Sequence, residues 1–196
     1  LHEYLDRLGV RTALAWVILR CSKTRWDFYT VDQAMAVAAG SPALLKQFKT
    51  NVDYLKESTT MFGSKKPEKT RSITFIRKTP GVKNPSTYTN VLNHGSNLIN
   101  WFSIHQTGIK TMSKTKYMSA GAAYGAGVYV SDRPSVSVSY STTDCSNGWT
   151  KSSLGIVSRV FAICHTRNAN LKCGGSGYFV VANDKDIDYE WMICWR

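Results

Sequence analysis

Two clusters of small and aromatic residues are equipped for chemistry in this chain. One is His94-Gly95-Ser96. The other runs from Gly121 to Tyr140 and holds Gly125-Ala-Gly127, Tyr129, Ser137 and Tyr140. A glycine-relieved strand lets a ligand lie against bare backbone, and Tyr129 and Tyr140 are placed to clamp a flat ring. A planar ring that carries an amide fits such a slot. A lone histidine is by default structural, but His94 stands at an expected strand end, where Gly95 exposes backbone N–H and C=O to a ligand.

Other chemistries fit less well. Gly125-Ala-Gly127 lacks the third glycine of a dinucleotide fingerprint, no helix is expected after it, and Pro134 would break one, so a Rossmann unit is rejected. The five cysteines, Cys21, Cys145, Cys164, Cys173 and Cys194, are odd in number and never spaced C-x-x-C, which reads as reduced thiols. None sits in an activating context, so a Cys–His nucleophile with His94 is not supported. Cys164-His165 with Cys173 lacks a fourth ligand at usual spacing, and no metal is expected.

These residues need a scaffold, and its elements are legible in part. Leu5, Leu8, Thr12, Ala15 and Leu19 mark one helix face. Thr30-Val-Asp-Gln33 is a capping box for a helix stopped by Gly40, and Ser41-Pro42 opens another with the stripe Leu44, Leu45, Phe48, Val52 and Leu55. The first sixty residues therefore read as helical. After a loop from Gly63 to Thr70, strands are expected at Arg71–Arg77, Tyr88–His94, Ile156–Cys164, Tyr178–Ala182 and Trp191–Trp195. Asn97–Thr107 has helical spacing and closes at Gly108, before a polar loop from Lys110 to Ser119. The expectation is an α+β fold of two packed, mainly antiparallel β-sheets. A small helical accessory region, 1–62, precedes the β-rich domain, 70–196.

Bulk composition sets the outer bounds. With 43% hydrophobic and 19% charged residues, the 196-residue chain is neither disordered nor fibrous. A net charge of +12 attracts polyanions, although the densest basic run, Lys65 to Arg71, reads as a solvated loop. No signal peptide opens the sequence, and the longest apolar run, Thr12–Leu19, is far short of a membrane span. An intracellular protein, cytoplasmic or nuclear, is expected. A chain that begins at Leu1 and ends at Arg196 reads as one domain of a longer protein, with others flanking it.

Taken together, the motifs resemble the catalytic domain of the poly(ADP-ribose) polymerase family, the diphtheria-toxin-like ADP-ribosyltransferases. His94-Gly95-Ser96 is similar to the family's histidine-glycine-serine motif. Tyr124-Gly-Ala-Gly-Val-Tyr129 is similar to its glycine-x-glycine-apolar-tyrosine strand, with Ser137 and Tyr140 at the family's offsets. Asn100-Trp-Phe-Ser-Ile104 resembles the mono-ADP-ribosylating branch. The resemblance covers roughly residues 88–195. It implies NAD as co-substrate, without a metal.

The resemblance also implies roles. His94 would hydrogen-bond a ribose hydroxyl of the adenosine half of NAD, supported by Ser96. The Gly95 backbone and the Ser137 hydroxyl would hold the carboxamide, Tyr140 and Tyr129 would enclose the nicotinamide ring, and Lys110 would lie near the adenine. The loop from Lys110 to Ser119 would cover the cofactor. Tyr178 stands where chain-elongating members have glutamate, giving His94, Tyr129 and Tyr178 as the catalytic set. A phenol of ordinary pKa near ~10 is a poor base at neutral pH, so single transfer to a protein acceptor, itself included, is expected. Two alternatives stay open: an inactive module that binds NAD or ADP-ribose, and a nucleic-acid-binding role led by the basic surface.

Overall fold

The computed structural model describes residues 25–57, 73–113, 123–141, 149–152, 155–157, 159–172 and 177–195. The helix expected at Leu5–Leu19, the loop Gly63–Thr70 and Cys21, Cys145 and Cys173 lie outside them. In chain order the elements are β1 (Arg25–Tyr29), α1 (Val31–Ala38), α2 (Pro42–Glu57), β2 (Ile73–Thr79), β3 (Asn90–Gly95) and α3 (Trp101–Thr107). They continue with β4 (Val128–Ser131), α4 (Pro134–Tyr140), β5 (Trp149–Ser152), β6 (Gly155–Val157), β7 (Arg159–Thr166), β8 (Ala169–Lys172), β9 (Tyr178–Val181) and β10 (Ile187–Trp195).

Eight strands join in the order β1-β2-β10-β7-β3-β4-β9-β8, and β5 pairs with β6 apart from them. Each pairing is antiparallel. The fold is α+β, as the sequence suggests. The two sheets expected are two halves of one sheet, however, joined where Asn93 of β3 lies opposite Ser131 of β4. The ladder between those strands extends no further.

The apolar runs of β7 and β10 arise because both sheet faces are covered. Val160, Ala162 and Cys164 pack on one face with Trp101, Val128, Tyr189, Met192 and Cys194. Phe161 and Ile163 pack on the other with Trp191, Ile193, Phe75 and the α1 and α2 residues Ala34, Ala38, Phe48, Val52 and Leu55. Tyr189 and Trp191 would share a face in a regular strand. A bulge at Glu190 turns them to opposite faces.

Several expectations need correction. Residues 25–29 form the edge strand β1, pairing with β2 from Arg25–Thr79 to Tyr29–Phe75, inside a stretch that reads as helical. The run is as short as the strands expected at Tyr178–Ala182 and Trp191–Trp195, but it sits among helical pattern, and pairing with β2 decides its conformation. Pro134 does not break a helix: it begins α4, at the position where proline's missing N–H costs nothing. The Val-Ser-Val-Ser alternation imitates a strand but lies on this helix. The rejection of a Rossmann unit survives on another ground, since β4 is antiparallel to both neighbours. β5, β8 and the first part of β10 were not expected. The capping box is present, but α1 ends at Ala38, before Gly40.

Candidate functional site

The cleft opens where β3 and β4 part. It has a volume of about 680 Å³ and is lined by the end of β3, the polar face of α3, residues 108–110, Met112, Ser113, β4, α4 and Tyr178. All eight residues singled out in the sequence line it: His94, Gly95, Ser96, Lys110, Tyr129, Ser137, Tyr140 and Tyr178.

The β3 side supplies His94 and Gly95. The Nδ1–H of His94 donates to the Tyr129 carbonyl at 2.9 Å, because a carbonyl can only accept. Desolvation of the ring lowers its pKa, outweighing that hydrogen bond, which raises it. The imidazole is therefore neutral, with Nε2 left as an acceptor. Gly95 packs directly on α4: a Cβ there would lie 1.9 Å from the Ser137 carbonyl oxygen. Only glycine lets β3 and α4 approach so closely. Ser96 accepts from Asn100 Nδ2 at 2.9 Å, and its carbonyl accepts from Trp101 Nε1 at 3.3 Å, which fixes the turn into α3.

The opposite wall is aromatic. Gly127 has φ +148°, and a Cβ on it would lie 2.6 Å from Val180 Cγ1, so glycine brings β4 tight against β9. The Tyr129 hydroxyl accepts from the Tyr124 N–H at 2.9 Å and donates to the Gly125 carbonyl at 2.8 Å. The ring therefore braces the turn that precedes it. Tyr178 lies opposite Ser131 in register, and its ring centroid is 5.6 Å from that of Tyr124. On α4, Ser137 is buried at 2% exposure while Tyr140, one turn on, is 41% exposed. A hydrogen bond between the Tyr140 and Tyr178 side chains raises the Tyr140 pKa, with burial adding to it.

Lys110 is exposed at the far end, with Nζ 3.9 Å from Asp184 Oδ2. Asp184 Oδ1 also accepts from the Thr111 N–H at 2.7 Å, and Ser113 Oγ accepts from the Gly127 N–H at 3.1 Å. The segment 110–113 is thus tied to both Gly127, just before β4, and the turn after β9. Sequence reasoning missed Asp184 in this tethering role, and it missed Ser103, Thr107 and Ser113 on the lining. Asn100, Ser103 and Thr107 recur at i, i+3 and i+7, a polar stripe that the helical period could have shown. Asp184 carries no such signal. No carboxylate is found among the described residues that line the cleft. No described helix is long and apolar enough to cross a membrane, and no metal-holding group is found among the described residues.

The antiparallel sheet parts over a glycine-relieved, tyrosine-walled cleft with a neutral histidine at its edge. The chain belongs to the poly(ADP-ribose) polymerase catalytic domain family, whose family model matches residues 42–172, more than half of the sequence. The match begins at α2. Membership implies ADP-ribosyl transfer, for which domains of this family use NAD as co-substrate. Over 48 residues the chain is 44% identical to "Protein mono-ADP-ribosyltransferase PARP8" of Mus musculus and equally to that of Homo sapiens. That stretch is 24% of this chain and 6% of each relative, so the chain spans a small part of those proteins.

Proposed function

We propose that the domain transfers a single ADP-ribose from NAD to a protein side chain and releases nicotinamide. The observation that carries this reading is the pairing of a neutral, carbonyl-held His94 with Tyr178, a phenol, in a cleft whose described lining has no carboxylate. NAD suits the lining. The narrow slot between Gly95, Ser137 and the tyrosines takes the nicotinamide, and the polar face of α3 with Lys110 takes the adenosine half.

The chain's own groups orient and bind. His94 Nε2 accepts from a ribose hydroxyl, and Ser96 lies beside it. The Gly95 backbone and the Ser137 hydroxyl hold the carboxamide, while Tyr140 and Tyr129 flank the ring. In the transfer, the bond from C1′ to the nicotinamide nitrogen breaks, that pair leaving with nicotinamide. A bond from C1′ to the acceptor atom forms, and the acceptor's proton passes to solvent. Tyr178 offers the ribose a hydrogen bond but is a weak base for a hydroxyl acceptor, which disfavours elongation. The family match, the cleft geometry and the name of the two relatives all support this reading.

Incubation with labelled NAD, followed by mass spectrometry, tests it. Nicotinamide release with single ADP-ribose adducts is expected. Poly-ADP-ribose chains would overturn the single-transfer part. Binding without release or adducts would leave the domain a recognition module.

A further inference from the structure

We propose that the buried amides Asn51 and Asn93 are positioning residues that set His94, Tyr129 and Tyr178 in register, an inference that rests on the reading of the cleft given above. Asn51 lies on α2 and Asn93 on β3, and both are 0% exposed. Asn51 Nδ2 donates to Asn93 Oδ1 at 2.9 Å, and Asn93 Nδ2 donates back to Asn51 Oδ1 at 2.8 Å. Gln47 Nε2, one turn earlier on α2, donates to Asn51 Oδ1 at 3.2 Å and to the Asp132 carbonyl at 3.3 Å. Two planar amides joined twice fix each other's rotation as well as their separation.

The place of the pair is what links it to the cleft. Asn93 immediately precedes His94 and lies opposite Ser131, where β3 and β4 meet before they part. Ser131 is itself buried. Its Oγ donates to the Gly177 carbonyl at 2.7 Å and accepts from the Arg133 N–H at 3.0 Å. Gly177 precedes Tyr178. Side-chain hydrogen bonds thus join α2 to β3 and to the Asp132 carbonyl after β4, strand pairing sets Asn93 against Ser131, and Ser131 holds Gly177, so that the residues directly before His94 and Tyr178 are both fixed.

Packing alone does not call for amides here. Leu44, Phe48, Val52 and Leu55 bury the same face of α2. A buried amide that loses its partner keeps its full desolvation cost, while an apolar pair of similar shape in place of both partners is close to neutral. What amides add is direction. β7 holds β3, and with it His94, in register from Asn90 to Gly95, so the single Asn93–Ser131 pair is what sets β4 against it, and a slip of one residue there would turn Tyr129 to the other face.

The test compares N51L, N93L and the double variant N51L/N93L with the unaltered protein. The readouts are melting temperature, kcat and KM for nicotinamide release, and the His94 tautomer by ¹⁵N NMR. Each single variant should melt lower, because it strands one amide. The double variant should regain most of the melting temperature, Gln47 keeping the Asp132 carbonyl as its partner, yet kcat should stay lower by about 10²-fold with KM changed less, and the His94 Nδ1–H signature should be lost. A double variant that recovers kcat and keeps the Nδ1–H signature overturns the proposal. Absence of nicotinamide release from the unaltered protein sinks the transferase reading instead, and the tautomer then decides the positioning role alone. If N51L/N93L does not fold, Asn51→Ser takes its place, with kcat and the tautomer judged in the same way.

Discussion

From β1 to β3 the sheet is a continuous ladder: β7 pairs with β10 from Thr166–Ile187 to Arg159–Trp195 and with β3 from Thr166–Asn90 to Phe161–Gly95. From β4 to β8 the ladders are four residues long, and one opposed pair joins the two halves. The long half is packed with rings, such as Phe48 against Phe75 at 4.6 Å and against Trp191 at 5.1 Å. The short half is held by hydroxyls, amides and close glycines. The contrast separates two tasks. Stability comes from the half where pairing and burial run on, broken only by the bulge at Glu190. The cleft lies where pairing stops, because strand-end backbone and side chains there face open space instead of another strand.

This division can be broken from either side. Trp191→Ala should cost the most, about 3–5 kcal/mol of unfolding free energy in a urea titration, since it empties the centre of the aromatic cluster. The ligand affinity of the molecules still folded should be unchanged. A parallel loss of both would show that the halves are not separable.

His94→Ala should do the reverse. Nicotinamide release should fall on the order of 10²–10³-fold, with a melting temperature within a few degrees of the unaltered protein. Unchanged labelling would remove His94 from the site.

The smallest effect separates histidines rather than halves. His105 lies under the sheet between Trp26 and Tyr189, its ring 4.6 Å from that of Trp26, and its Nδ1 is paired with the Tyr189 hydroxyl. Burial, helped by the charge of Lys78, pushes its pKa down to about 3. Unfolded, it would protonate near the ordinary value of ~6.5. The folded pKa is the lower one, so this stability is present above pH ~6.5 and is lost as pH falls toward 3. At pH 5 the loss is about 2 kcal/mol. Desolvation also lowers the pKa of His94 and His165, with the same sign. Urea midpoints at pH 7 and pH 5 should differ accordingly, and His105→Gln should flatten the difference. An equal slope in that variant would show that the burden lies on the other two.

Much of this was legible before the fold was known. His94-Gly95-Ser96 and the Tyr129, Ser137 and Tyr140 spacing mark a ring-binding slot through residue type alone, and all of them line the cleft. The apolar runs of β7 and β10 were visible because burial on both faces removes polar residues from a strand. The strand β1 was not, being surrounded by helical pattern. The helix α4 was not either, since seven residues with alternating valine and serine fit a strand equally well. Gln47 and Asn51 fall within the buried stripe of α2, at i+3 and i+7 from Leu44, but a polar residue on such a stripe is ordinarily read as surface.

By itself the sequence determined local chemistry: the capping box at Thr30, the proline that begins α2, the glycines at 95 and 127, and a phenol at 178. These follow from each residue's own shape and hydrogen-bonding groups, which do not depend on distant partners. Only tertiary structure decided that two expected sheets are one, that Gly95 is pressed on the Ser137 carbonyl, and that Asn51 meets Asn93 across forty-two residues of chain. Those depend on long-range pairing and on which face each element buries. The free energy for that choice comes from the assembled core, not from any one segment.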